Sequence, residues 1–128
     1  MTLERRERLT SDHRLRKTRE IDEVKSAGRL YRGIHCLMLV LVRPDAPTRV
    51  GFIASRKGVG GAVQRNRARR RLREIVRRRW PRMPSTGYWI LVIAHRGALT
   101  ASHQELASET EGLLAAAGAI APLSPVEV

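Results

Sequence analysis

The densest chemistry in the chain is Arg65-Asn66-Arg67-Ala68-Arg69-Arg70-Arg71-Leu72-Arg73. Each guanidinium is a planar, permanently charged fork whose parallel N–H donors match the oxygens of a phosphate. Packed this closely the forks repel one another, so the segment calls for a polyanion. A nucleic-acid backbone supplies one. Asn66 adds hydrogen-bonding capacity without charge.

Composition points the same way. The 128 residues hold 25 Lys and Arg against 12 Asp and Glu, a formal net charge of +13. A chain of this length makes one domain with one modest core. Only Lys17, Lys25 and Lys57 are lysines; arginine suits structured phosphate sites, although a GC-rich genome gives the same bias. Twelve of the 25 basic residues fall between Arg56 and Arg82 against one acid, Glu74, and no Lys or Arg follows Arg96. Charge that served solubility alone would be dispersed, and a solvated helix face would mix signs.

Other chemistries find no support. His13, His35, His95 and His103 are scattered, with no Cys, Asp or Glu at ligand spacing, so the protein is expected to bind no metal. Ser55 is not on a nucleophile elbow, and no pair of carboxylates suggests hydrolysis, so no catalytic side chain is expected. Gly58-Val59-Gly60-Gly61 lacks the Gly-Lys-Ser/Thr ending of a nucleotide loop. It either holds a backbone phosphate at a helix N-terminus or is a tight connection and nothing more. Cys36, the only cysteine, lies in an apolar run and reads as a buried thiol. Residues 1–8 contain no apolar signal core, and the apolar runs 36–42 and 88–94 are far below the ~20 residues that span a bilayer. A cytoplasmic protein without a membrane partner is expected.

The arginines need a scaffold to position them. Thr18 is a plausible N-cap for a short helix with Glu20, Asp22 and Glu23 near its positive end, Ile21 and Val24 inward, and Gly28 at its close. Residues 34–42 are almost continuously apolar and predict a strand covered on both faces. Pro44-Asp45-Ala46-Pro47 predicts a turn and residues 48–55 a returning strand, the two forming a hairpin. The arginine helix runs from about 62 to 79 and Pro81 helps stop it. Ala68, Leu72, Ile75 and Val76 form its apolar stripe. At about 100° per residue, Asn66, Arg70, Arg73 and Arg77 point away from that stripe. Arg67, Arg71 and Arg78 flank them, and Arg65 and Arg69 lie toward the core's other edge. A strand over 88–94 follows, then a helix with the Ser102/Glu105 capping box, a stripe of Leu106, Thr110, Leu113, Leu114 and Ala117, and Gly118 at its end. The fold class is α+β, one small domain in the order α-β-β-β-α-β-α. Residues 13–117 are the expected domain, with a flexible basic tail at 1–12 and a second tail at 118–128.

The local pattern is more specific than charge. Arg49-Val50-Gly51-Phe52, then Ser55-Arg56-Lys57, then Val59-Gly60-Gly61-Ala62-Val63-Gln64-Arg65-Asn66-Arg67-Ala68-Arg69-Arg70 closely resembles the signature of the bacterial ribonuclease P protein subunit. That signature is a Gly-Phe strand, a basic pair, a Gly-x-Ala-Val step and an Arg-Asn-Arg helix. The resemblance covers roughly residues 13 to 117 and takes in Arg14-Leu15-Arg16-Lys17 and Gly28. It implies the accessory protein of an endoribonuclease. A large catalytic RNA and its bound Mg²⁺ ions would remove the 5′ leader of precursor tRNA, with no catalytic residue from the protein. It implies RNA docking through Arg56, Lys57, Arg65, Asn66, Arg67, Arg69, Arg70 and Arg73. It also implies a leader cleft between the sheet and the first helix, with Arg14, Lys17, Ile21, Lys25, Tyr31 and Phe52 as candidate contacts. A left-handed strand–helix–strand crossover is implied by the family alone, against the usual handedness.

Three departures from the family pattern matter. One extra residue, most simply Gly58, lengthens the loop before the helix, and Gly61 stands where many relatives are polar or basic. The cleft positions that carry rings in relatives match Ile21, Lys25, Cys36 and Leu39, which offer no π face for stacking. Leader recognition is therefore expected to lean on charge. A ribosomal or other structural RNA-binding protein is the main alternative. A DNA-binding module reading a major groove through Gln64 and Asn66 is a second, although DNA is not the expected partner.

Overall fold

The computed structural model describes residues 9–121; residues 1–8 and 122–128 of the two expected tails lie outside the described residues. After a 3-10 turn at Ser11–His13 come helix α1 (Thr18–Ala27), strands β1 (Arg29–Arg32), β2 (Cys36–Pro47) and β3 (Arg49–Ile53), and helix α2 (Ala62–Arg79). A 3-10 turn at Trp80–Arg82 leads to β4 (Thr86–Ala94), the short helix α3 (Gly97–Thr100) and α4 (His103–Ala116). The expected α+β order holds, with α3 added. The α2 bounds follow from its sequence: a Gly-rich lead-in, an unbroken apolar stripe, and Pro81 just past its end. Ser102 caps α4 through the expected box with Glu105. Lys17, not Thr18, is the N-cap of α1, and no side chain caps it.

The sheet order is β1-β2-β4-β3. The expected hairpin between residues 34–42 and 48–55 does not form, because β4 lies between β2 and β3, antiparallel to β2 and parallel to β3. Ile90, Leu91 and Val92 are 0% exposed. A strand apolar on both faces is best buried at the centre of the sheet, where neighbours cover both its edges. The Pro44–Pro47 stretch continues β2 as an irregularity between Arg43 and Pro47, without closing a turn. β3 is left as an edge strand.

Register divides the residues between two faces. Met38, Val40, Val50, Ile90 and Val92 meet Ala68, Leu72, Ile75 and Val76 of α2, and Leu106 and Leu114 of α4, in the main core. On the opposite face Leu15, Val24, Trp89 and Leu91 form a smaller core. Ile21, Leu39, Leu41, Ile53 and Ile93 are only partly buried against it. The strand expected to be covered on both faces is thus sealed on one and half open on the other, because α1 is too short to span the sheet.

The ends of the domain also pack further than expected. Leu9 rests on the main core and the His13 ring lies 4.9 Å from the Trp80 ring. Past Gly118, whose φ of +75° suits glycine, Ala119 and Ile120 are buried and Ala121 N–H donates to Arg82 O at 2.8 Å.

Candidate nucleic-acid interface

The helix α2 is split by its partners. Of the nine arginines between Ala62 and Arg79, Arg71, Arg77, Arg78 and Arg79 are engaged within the protein. Arg71 donates to Ala98 O at 2.8 Å and to Ala101 O at 2.6 Å, closing the end of α3. Arg77 and Arg78 share Glu74, whose carboxyl sits below the usual glutamate range, chiefly through the Arg77 hydrogen bond. Arg79 pairs with Glu111 at 2.8 Å, and Arg82 joins the same carboxylate at 2.9 Å.

The N-terminal part is different. Asn66, Arg67 and Arg70 are exposed, and Arg65, Arg69 and Arg73 are half-buried along the β3 side. Among the described residues no carboxylate pairs with any of them. Asn66 Oδ1 accepts a hydrogen bond from Arg69 Nη2, which fixes that guanidinium. Arg73 lies over the Phe52 ring, 5.8 Å from its centroid. Burial first, then the charges of Arg14 and Arg69, push Arg73 below the usual arginine value. The Nε atoms of Arg14, Arg65 and Arg73 are buried without a partner.

Arg14 reaches this cluster because of Gly51. Leu15 N–H donates to Val50 O at 3.0 Å, and a Cβ on Gly51 would stand 2.7 Å from Leu15 O. Only glycine lets the chain cross β3 so closely, and the crossing places Arg14 and Arg16 beside Arg73 of α2. Arg56 and Lys57 extend the same field from the exposed loop before α2. There Gly58 N–H donates to Ser55 Oγ at 2.9 Å, and Gly60 has a φ of +140°. No side chain caps the α2 N-terminus and its first turn holds no acid. All eight residues expected to dock RNA are thus exposed or half-buried, six on α2 and two in the loop before it.

The expected leader contacts do not stay together. Ile21 flanks the half-open face and Lys17 and Lys25 are exposed on or beside α1. Tyr31 and Phe52 pack on the other face, against the main core. The matched cleft positions divide the same way: Leu39 lines the half-open face, whereas Cys36 is fully buried in the main core. Burial, then the Glu109 charge, pushes the Cys36 thiol up to about 12, so it stays neutral and inert. Sequence reasoning missed Trp89, which belongs to the half-open face. Its strand is apolar throughout, so alternation gave no clue to which side the ring takes.

A parallel strand–helix–strand unit on a four-stranded sheet, with one face sealed and one half open, defines a class of small α+β domain that is already known. The chain is similar to the RNase P protein of Staphylococcus aureus with a TM-score of 0.74 at 21% identity, over 85% of this chain and 98% of that one. It is similar to the RNase P protein of Thermotoga maritima with a TM-score of 0.68 at 26% identity, over 79% and 94%. Residues 9–118 match the family described as Ribonuclease P. Among curated relatives, the ribonuclease P protein component of Symbiobacterium thermophilum is 44% identical over 107 residues, 83% of this chain and 91% of that protein. That of Chloroflexus aurantiacus is 35% identical over 102 residues, 80% and 75%. The chain belongs to the ribonuclease P protein component family.

Proposed function

We propose that this chain is the protein partner of the catalytic RNA of ribonuclease P, and that it holds the 5′ leader of precursor tRNA while that RNA removes it. One observation carries the reading: the guanidiniums of Arg65, Arg67, Arg69, Arg70 and Arg73 meet no carboxylate among the described residues, although acids are available to the arginines that follow. Such a surface lowers its self-repulsion by displacing counterions from a polyphosphate. Arg56 and Lys57 join it from the loop, and the uncapped N-terminus of α2 adds backbone donors and the positive end of a helix dipole.

The leader runs across the half-open face. Leu39, Leu41, Ile53 and Ile93 give an aliphatic floor that packs against sugars and base faces, with Ile21 as its wall. Lys17 and Lys25 follow the leader's phosphates, and Arg14 links this face to the α2 surface. Tyr31 and Phe52 act from the other side of the sheet, Phe52 as the seat for Arg73.

The described residues offer magnesium no clustered site. Among the described residues no three His, Cys, Asp or Glu side chains gather to hold a metal ion. Glu20, Glu23, Glu74 and Glu111 face arginines, and the Glu109 carboxylate accepts three backbone N–H groups, from Ile34, His35 and Cys36. The ions the reaction needs belong to the RNA, and the holoenzyme acts in the cytoplasm, where precursor tRNA is made.

Reconstitution tests the reading. Protein freed of RNA should cleave nothing, and adding the cognate RNA with Mg²⁺ should release the 5′ leader. Cleavage by RNA-free protein, or co-purification with ribosomal RNA or DNA in place of one RNA species, overturns it.

A further inference from the structure

A cavity of about 440 Å³ at the far end of the half-open face is lined by Arg19, Glu20, Glu23, Arg43, Asp45 and Trp89, with Pro44 and Ala46 at its rim. Trp89 is 9% exposed, and its Nε1 is buried without a hydrogen-bond partner. The Arg43 guanidinium lies over the Trp89 ring, 4.8 Å from its centroid, and pairs with Glu23. Arg43 Nε is likewise buried and unpartnered. The indole thus covers one face of the guanidinium and a carboxylate fixes its edge. The Arg43 side chain is 39% exposed and lines the cavity.

We propose that the cavity is a nucleobase site, in which one unpaired base of RNA stacks on the outer face of the Arg43 guanidinium, backed by Trp89. The proposal rests on the RNA partnership argued above. A planar group already held in place offers a stacking surface at little ordering cost, and both aromatic rings and guanidinium planes serve unstacked RNA bases this way. Phosphate is the wrong occupant, because Glu20, Glu23 and Asp45 would repel it. The same carboxylates accept hydrogen bonds from the exocyclic amino group of adenine, cytosine or guanine, which uracil lacks. Arg19, exposed on the cavity lining, has donors that suit ring nitrogens and carbonyl oxygens.

Fluorescence of the full chain provides the test. A Trp80→Phe background leaves Trp89 as the sole indole. The probes are short oligoribonucleotides of adenosine, of uridine, and an abasic ribose-phosphate chain of equal length. The adenosine oligomer should perturb Trp89 emission and bind more tightly than the other two. Arg43→Lys keeps the charge and removes the plane. It should weaken adenosine binding roughly tenfold, the scale of one stacked base, and leave the abasic chain unchanged. Trp89→Leu would open the core, so the half-exposed Arg43 carries the test.

Equal losses on adenosine and abasic chains, or no loss on either, overturn the proposal. If no probe binds even before Arg43 is changed, the RNA partnership itself fails. In the holoenzyme, Arg43→Lys should remove the KM difference between a natural and an abasic leader if the base comes from the leader. It should weaken affinity for the catalytic RNA if the base comes from there. Either result supports the site; if neither quantity changes, the proposal is overturned.

Discussion

From Arg65 to Arg73 of α2 the guanidiniums of Arg65, Arg67, Arg70 and Arg73 meet no carboxylate among the described residues, whereas from Arg77 onward Arg77 and Arg78 share Glu74 and Arg79 reaches Glu111. Both halves have the same residue type, the same helix and nearly the same spacing. What separates them is supply: Glu74 and, from α4, Glu111 stand beside one end of α2, and among the described residues no acid pairs with the arginines of the other. Arg71 is the exception within the first stretch, since its two hydrogen bonds go to the carbonyls of Ala98 and Ala101. Arginine density is thus a poor guide to which arginines are free to bind, and local neutralisation is a better one.

The hardest test of this division is charge reversal in the first half. Arg65→Glu, Arg69→Glu and Arg70→Glu together should cut affinity for the cognate RNA by about a hundredfold or more. Each lost phosphate contact should flatten the dependence of log K on log salt by roughly 0.7 to 0.9. The fold should survive, because none of the three lies on the stripe of Ala68, Leu72, Ile75 and Val76. An unchanged salt slope would place the RNA elsewhere.

The internally bonded arginines should answer in stability. Arg71→Met leaves Ala98 O and Ala101 O without their charged donor, a loss of about 1.5 to 3 kcal/mol. Thermal or denaturant melting measures it, and the salt slope of RNA binding should stay as it was. A variant that instead loses affinity at full stability would put Arg71 in the RNA interface.

The Glu111 cluster sharpens the contrast through pH. Hydrogen bonding from Arg82 first, then from Arg79, opposed by desolvation, holds the Glu111 carboxyl below the usual glutamate range. Arg82 also donates to Ala121 O at 3.0 Å, so the cluster ties down the chain end. A carboxyl with a lowered folded value stabilises the protein fully above its unfolded value and loses that contribution as pH falls through the folded one. The native protein should therefore lose stability below the normal glutamate range, and Glu111→Gln should flatten that acid limb by about 1 kcal/mol. Identical acid limbs would show that the cluster is not coupled to folding.

How much of this was readable from sequence depended on distance along the chain. The bounds of α2 and the α4 capping box came out because both are local patterns, within a few residues. The β2–β3 hairpin failed because strand pairing is decided by a competitor more than thirty residues on: β4 outbids β3 for the edge of β2. The basic surface was legible as a run of charge, but the loss of Arg71 and Arg79 to internal partners was not. Those partners lie 27 and 32 residues away. Tyr31 and Phe52 were placed beside Ile21 because the face of a strand cannot be fixed without its register. Trp89 was passed over for the same reason.

The finest probe within the first half is Asn66. Its side chain carries no charge, is exposed, and accepts from Arg69. Asn66→Ala frees that guanidinium to sample other rotamers, so binding RNA must first order it again. Fixing one long side chain costs about 0.5 to 1.5 kcal/mol, which predicts a loss of affinity of a few fold to about tenfold. The number of neutralised phosphates does not change, so the salt slope should match the native protein. A flattened slope would mean that Arg69 leaves the interface without Asn66. A native affinity would mean that RNA orders Arg69 unaided, and the amide would then be dispensable to docking.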